Sequence, residues 1–83
     1  MIVWDREAPA FDRPTWAQLT RAAGLLWRVA DDRGRPLGHL RVVADGDRWR
    51  FRAERYHGGS RAFRAVGEFW AASDAFDCLR YQR

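Results

Sequence analysis

The stretch Asp47-Arg48-Trp49-Arg50-Phe51-Arg52-Ala53-Glu54 alternates arginine with apolar residues at a period of two. A β-strand sorts such a pattern, because successive side chains leave its backbone on opposite faces. Trp49, Phe51 and Ala53 are thereby predicted to enter a core. Arg48, Arg50 and Arg52 then form a row of fixed positive charge on the other side. A strand of this kind needs neighbours, and the flanking sequence supplies them.

Immediately upstream, Asp45-Gly46 tolerates the positive φ angles of a tight hairpin, so Leu37 to Ala44 reads as the preceding strand. Another period-two run, Leu25-Leu26-Trp27-Arg28-Val29-Ala30, lies before it across the turn formers Asp31 to Pro36. Downstream, His57-Gly58-Gly59-Ser60 makes a turn, and Arg61 to Phe69 gives a fourth strand with Phe63, Ala65 and Phe69 expected on one face.

Helices are expected at both ends of this meander. Thr15 and Gln18 satisfy the capping-box pattern, Trp16, Leu19 and Ala23 share a helical face, and Gly24 sits where a left-handed C-terminal cap belongs. Ser73-Asp74 opens a second helix, with Ala72, Ala75, Phe76 and Leu79 as its apolar stripe and Asp74 and Arg80 matched to its dipole. Residues 1 to 13 read as a short strand or extended arm followed by a loop. The expected fold class is α+β: a four-stranded antiparallel meander with an N-terminal helix and a C-terminal helix packed on one sheet face. The whole chain, 1–83, is expected to be one small domain.

The net charge is +4, and all 15 basic residues are arginine, with no lysine and no asparagine in the chain. Codons for both missing residues are AT-rich, so arginine usage points first to a high-GC genome. Distribution is more telling, because residues 25–66 carry ten arginines against five acids, while the flanks are balanced or slightly acidic. Such a patch speeds association with a polyanion. Cys78 is the single cysteine and cannot form an internal disulfide, and no run approaches the roughly 18 apolar residues of a membrane span. A cytoplasmic protein with no membrane partner is expected.

With the register above, the face away from the helices collects Arg48, Arg50 and Arg52, Arg64 from the next strand, and Arg41 and Arg28 from the two preceding ones. These guanidinium groups repel one another unless acids or a polyanion intervene. Their planar forks suit phosphate and guanine edges, which makes nucleic acid the expected partner. The plainer alternative is that a solvated sheet face needs polar residues and this genome supplies arginine. Trp16, Trp27 and Trp49 fall on inward faces, whereas Trp4 and Trp70 are harder to bury. Each of the latter two suits either base stacking or anchoring a protein partner.

Three features lie in order: Trp49 in an arginine-rich strand, a strand ending Val66-Gly67-Glu68-Phe69, and the capped helix beginning Ser73-Asp74-Ala75. This order resembles the three-stranded DNA-binding domain of plant ethylene-response factors and the arm-binding domain of some phage integrases. The likeness covers roughly residues 38 to 82. It implies a sheet lying in the major groove of duplex DNA, with Arg48, Arg50, Arg52 and Arg64 as contacting residues and Arg41 beside them.

Signs of catalysis are sparse. His57-Gly58-Gly59-Ser60 is similar to a Gly-Ser-His stretch of certain toxin ribonucleases, but arginine follows the serine and a turn accounts for both glycines. His39, His57 and Cys78 show no spacing of a zinc site or of a nucleophile with its base. The expectation is a small basic non-enzymatic nucleic-acid-binding protein without cofactor, of a kind carried by phages, with duplex DNA as the first candidate ligand. The alternative is a protein-interaction module, a small phage or accessory factor that binds a host protein through exposed Trp and Arg.

Overall fold

The computed structural model describes residues 10–81. They form one antiparallel sheet in sequential order, β1 (Gln18–Ala23), β2 (Leu26–Ala30), β3 (Pro36–Asp45), β4 (Arg48–His57) and β5 (Ala62–Phe69), followed by the helix α1 (Ala72–Tyr81). The sheet therefore has five strands rather than four, and the expected N-terminal helix does not form.

The segment expected to be that helix is strand β1 and the turn leading into it. Pro14 closes a turn by accepting a hydrogen bond from the Ala17 amide at 3.1 Å. From there the chain alternates, with Ala17 buried, Leu19 half-buried, and Gln18 and Thr20 exposed. A helix of about ten residues is marginal in water without strong tertiary support. Pairing with β2 from Gln18 opposite Ala30 to Ala23 opposite Leu26 gives these residues backbone partners and covers the edge that β2 would otherwise leave free. Gly24, expected as a helix cap, instead forms the β1–β2 turn with Leu25.

The three hairpins around β3 and β4 follow local chemistry. Asp31 organises the β2–β3 turn, its Oδ1 accepting the amides of Arg35 at 2.8 Å and Arg33 at 2.9 Å. Chiefly the Arg35 bond, then that of Arg33, holds this carboxyl below its ordinary value against a partial offset from desolvation. Gly46 takes φ +64° in the two-residue β3–β4 turn, where a positive value is required. In the β4–β5 turn His57 Nδ1 accepts the Ser60 amide at 3.1 Å and lies 2.9 Å from Ser60 Oγ, so these two side chains serve the turn.

One face of the sheet carries the core. Val29, Leu40, Val42, Phe51 and Ala53 meet Ala72, Ala75, Phe76 and Leu79 of α1, which crosses β4, β5 and β3. Phe11 and Trp16 cover the part of this face that the helix leaves open. Phe11 sets an edge against Trp27 at 5.2 Å, and Trp16 meets Phe76 edge-on at 6.3 Å. Trp27 and Trp49 are half-buried against the same cluster.

The register of β5 departs from the expected one. A bulge between the Ala53–Gly67 and Glu54–Ala65 pairs inserts Val66, and it reverses the faces of everything before it. Phe69 opposes Phe51 on the core side, whereas Phe63 opposes Tyr56 and is exposed on the other side with Ala65. Phe63 and Ala65 thus do not share a face with Phe69. Arg64 opposes Arg55, whose guanidinium donates to the Leu79 carbonyl of α1, so Arg64 lies on the helix side.

Candidate functional site

The face of the sheet away from α1 has no secondary-structure element over it among the described residues, and its chemistry is set by the cross-strand register. Counting from the β3–β4 turn, Asp45 opposes Arg48, Val43 opposes Arg50, Arg41 opposes Arg52 and His39 opposes Glu54. Arg28 of β2 stands opposite His39, and Glu68 of β5 opposite Arg52. Arg28, Arg41, Arg48, Arg50 and Arg52 are therefore brought together, as expected, and Arg64 is not. Trp70, just past β5, joins them and is 51% exposed. Trp4 lies outside the described residues.

The arginines do not stand bare. Arg41 Nε donates to Glu54 Oε2 at 2.9 Å, and Arg52 Nε donates to Glu68 Oε2 at 3.3 Å. Arg50 lies 3.4 Å from both Asp45 Oδ2 and Glu68 Oε1. Five guanidinium groups thus face three carboxylates, and the repulsion implied by the sequence is relieved within the chain. The pairs to Asp45 and Glu68 are partly exposed and worth little individually, so a phosphate can compete for those forks, whereas the Glu54 side of the Arg41 pair is buried. Arg48 is held differently, its guanidinium 3.9 Å above the Trp70 ring, with Arg50 at 6.0 Å from the same ring. Among the described residues no carboxylate forms an ion pair with Arg28 or Arg48.

Glu54 is only 7% exposed although it belongs to the open face. Arg41 covers one carboxylate oxygen, and His39 Nδ1 lies 3.8 Å from the other, too far for a hydrogen bond. The imidazole is stacked on Phe63, with ring centroids 3.7 Å apart and planes 12° from parallel, and Tyr56 meets Phe63 at 5.5 Å. An open cleft of about 690 Å³ lies beside this stack, lined by Arg28, Thr20, His39, Tyr56 and Phe63 among others.

Burial drives the His39 imidazole below its ordinary value of 6.5, Glu54 pulls it back up, and Arg28 and Arg41 push it further down. The native state therefore refuses a proton that the unfolded chain accepts. Stability is present above 6.5 and is expected to decline as the pH falls through that value. Urea titrations across this range should show the decline in the parent protein and a flatter profile in His39→Gln. An equally steep profile in that variant would assign the effect elsewhere.

His39, Glu54, Tyr56, Phe63, Glu68 and Asp45 were missed as members of this face. Counting back from the Asp45-Gly46 hairpin would have found Glu54 and His39 opposite each other. Glu68 and Phe63 required the bulge at Val66, for which the sequence offers only the adjacent Gly67. No group of three or more His, Cys, Asp and Glu among the described residues is arranged to hold a metal ion, and no helix among them is long and apolar enough to cross a membrane. No protein-family model matches the chain, and no curated protein and no solved structure matches it.

Proposed function

We propose that this chain is a small non-enzymatic nucleic-acid-binding protein whose contact surface is the helix-free face of the sheet. The observation that carries the reading is the gathering of Arg28, Arg41, Arg48, Arg50 and Arg52 on one face, with exposed Trp70 at one end of it and exposed Tyr56 and Phe63 at the other. Guanidinium forks bind phosphate oxygens in pairs, and exposed aromatic rings accept bases, so the two residue types together suit a nucleic acid better than a simple anion.

The internal ion pairs set the expected strength. Arg28 and Arg48 need break no ion pair with a described carboxylate, while Arg41, Arg50 and Arg52 must first exchange one for a phosphate. Two or three net phosphate contacts predict an affinity loss of about 7- to 40-fold between roughly 50 and 200 mM salt, against about 300- to 2,000-fold for six. Glu68→Gln removes the carboxylate that Arg50 and Arg52 share, leaving Arg50 paired with Asp45 alone and Arg52 4.0 Å from Glu54, so it should raise affinity several-fold and steepen the salt dependence. Fluorescence anisotropy at the two salt concentrations measures both effects. Absence of binding at the lower concentration would dispose of the reading.

A second reading, a module that binds a host protein, draws on one observation. Three of the five arginines are already neutralised, which leaves Trp70 with its stacked Arg48 as an anchor of the kind enriched at protein interfaces. That interface would tolerate salt and depend on Trp70.

A further inference from the structure

We infer that the nucleic acid taken by this face is a single strand, laid along β4 with bases stacked at two separate aromatic platforms; the inference rests on the nucleic-acid reading above. Width is the first argument. Five strands at about 4.8 Å spacing make a face roughly 19 Å across before side chains are added. The major groove is about 12 Å wide and admits one helix or a two-stranded ribbon, and the minor groove is about half that. All the arginine-bearing strands of this face lie inside the sheet, β2 included, so none offers a free edge to a groove, and β3 and β4, flanked by β2 and β5, cannot enter one as a ribbon. Their common turn is closed by Asp45, Gly46 and Asp47, two of which repel phosphate.

The aromatic residues supply the second argument, because a duplex offers its bases stacked and out of reach, whereas a single strand presents them. At one end of β4, Trp70 is half exposed and has the Arg48 guanidinium stacked on one face of its ring. At the other, Phe63 is 41% and Tyr56 57% exposed, with Phe63 backed by the His39 ring and opening beside the cleft that Arg28 lines. A ring held on one face by a stacked partner is pre-organised to receive a base on the other. From Arg48 to Tyr56 the strand rises about 26 Å, the length of about eight stacked nucleotides or fewer stretched ones. Arg50 and Arg52 project from the backbone between the two platforms, where the strand's phosphates would pass.

The test is anisotropy with three labelled probes of one mixed sequence: a 12-nucleotide DNA strand, the same strand as RNA, and the 12-base-pair DNA duplex. At least one single strand is expected to bind ten times or more tightly than the duplex, and the ratio between the two strands shows whether the sugar is read. Trp70→Ala and Phe63→Ala should each weaken single-strand binding by about 5- to 100-fold and leave duplex binding nearly unchanged. Trp70→Phe and Phe63→Tyr keep a ring and should retain most of the affinity. Both positions are exposed, and a thermal melt verifies that each variant is folded. Duplex binding equal to or tighter than single-strand binding, with both alanine variants indifferent, would overturn the single-strand inference and leave the nucleic-acid reading standing. No binding by any probe would overturn both.

Discussion

Gly38→Ala is expected to remove about half of the stability of this domain. Gly38 sits in β3 with φ +154°, a conformation that residues with a side chain rarely adopt. A Cβ there would fall on the Glu54 carbonyl oxygen of β4, far inside contact distance, and 3.0 Å from Leu79 Cδ2. Neither obstacle can move cheaply, since the first is backbone of an interior strand and the second is a fully buried core side chain. Backbone strain of about 1–3 kcal/mol and overpacking of about 1–3 kcal/mol add to roughly 2–6 kcal/mol. A chain of this length has roughly 4–12 kcal/mol in total. Urea denaturation should show the midpoint falling by more than about 1 M, or no folded baseline at all. Gly34→Ala is the control, because Gly34 also has positive φ, +81°, but open space around its Cβ position. It should cost only about 1–2 kcal/mol. Equal losses in both variants would show that conformation, and not the close approach of β3, β4 and α1, requires the glycine.

Phe76→Ala is the second large effect. The ring is 0% exposed at the middle of α1, meets Trp16 edge-on at 6.3 Å, and has Phe11 at 6.1 Å. It is the point where the helix, the sheet and the segment before β1 come together. Truncation should cost about 3–5 kcal/mol through lost transfer energy and the cavity left behind. The melting temperature of a domain this size should then drop by about 12–40 °C. Phe76→Leu, which keeps most of the volume, should cost less than about 1.5 kcal/mol. Calorimetry on the pair separates filling the core from aromatic contact: a Leu variant as unstable as the Ala variant would place the energy in the ring-to-ring geometry with Trp16 and Phe11.

Much of the site was legible because it depends on alternation. The Trp49, Phe51 and Ala53 positions face the core, and Arg48, Arg50 and Arg52 face away, as the period of two requires. The α1 stripe of Ala72, Ala75, Phe76 and Leu79 was equally readable from its 3.6-residue spacing. Two elements were not. Thr15 to Gly24 carries helix signals and strand-compatible alternation together, and local propensity lost to the free edge that β2 offered. In β5 the bulge at Val66 turned Phe63 outward and sent Arg64 to the helix side. A bulge depends on how two strands settle against each other and leaves no periodic trace in either one.

The open face shows the division most clearly. Sequence by itself determined that arginines would line one side of β4, since side-chain direction along a strand is a property of the backbone alone. Tertiary structure decided what those arginines meet. Glu68 reaches Arg50 and Arg52 from 16 to 18 positions away along the chain, Glu54 reaches Arg41 across a hairpin, and Trp70 slides beneath Arg48. Charge neutralisation and stacking depend on which strands are neighbours and in what register, and those pairings come into existence only when the sheet assembles.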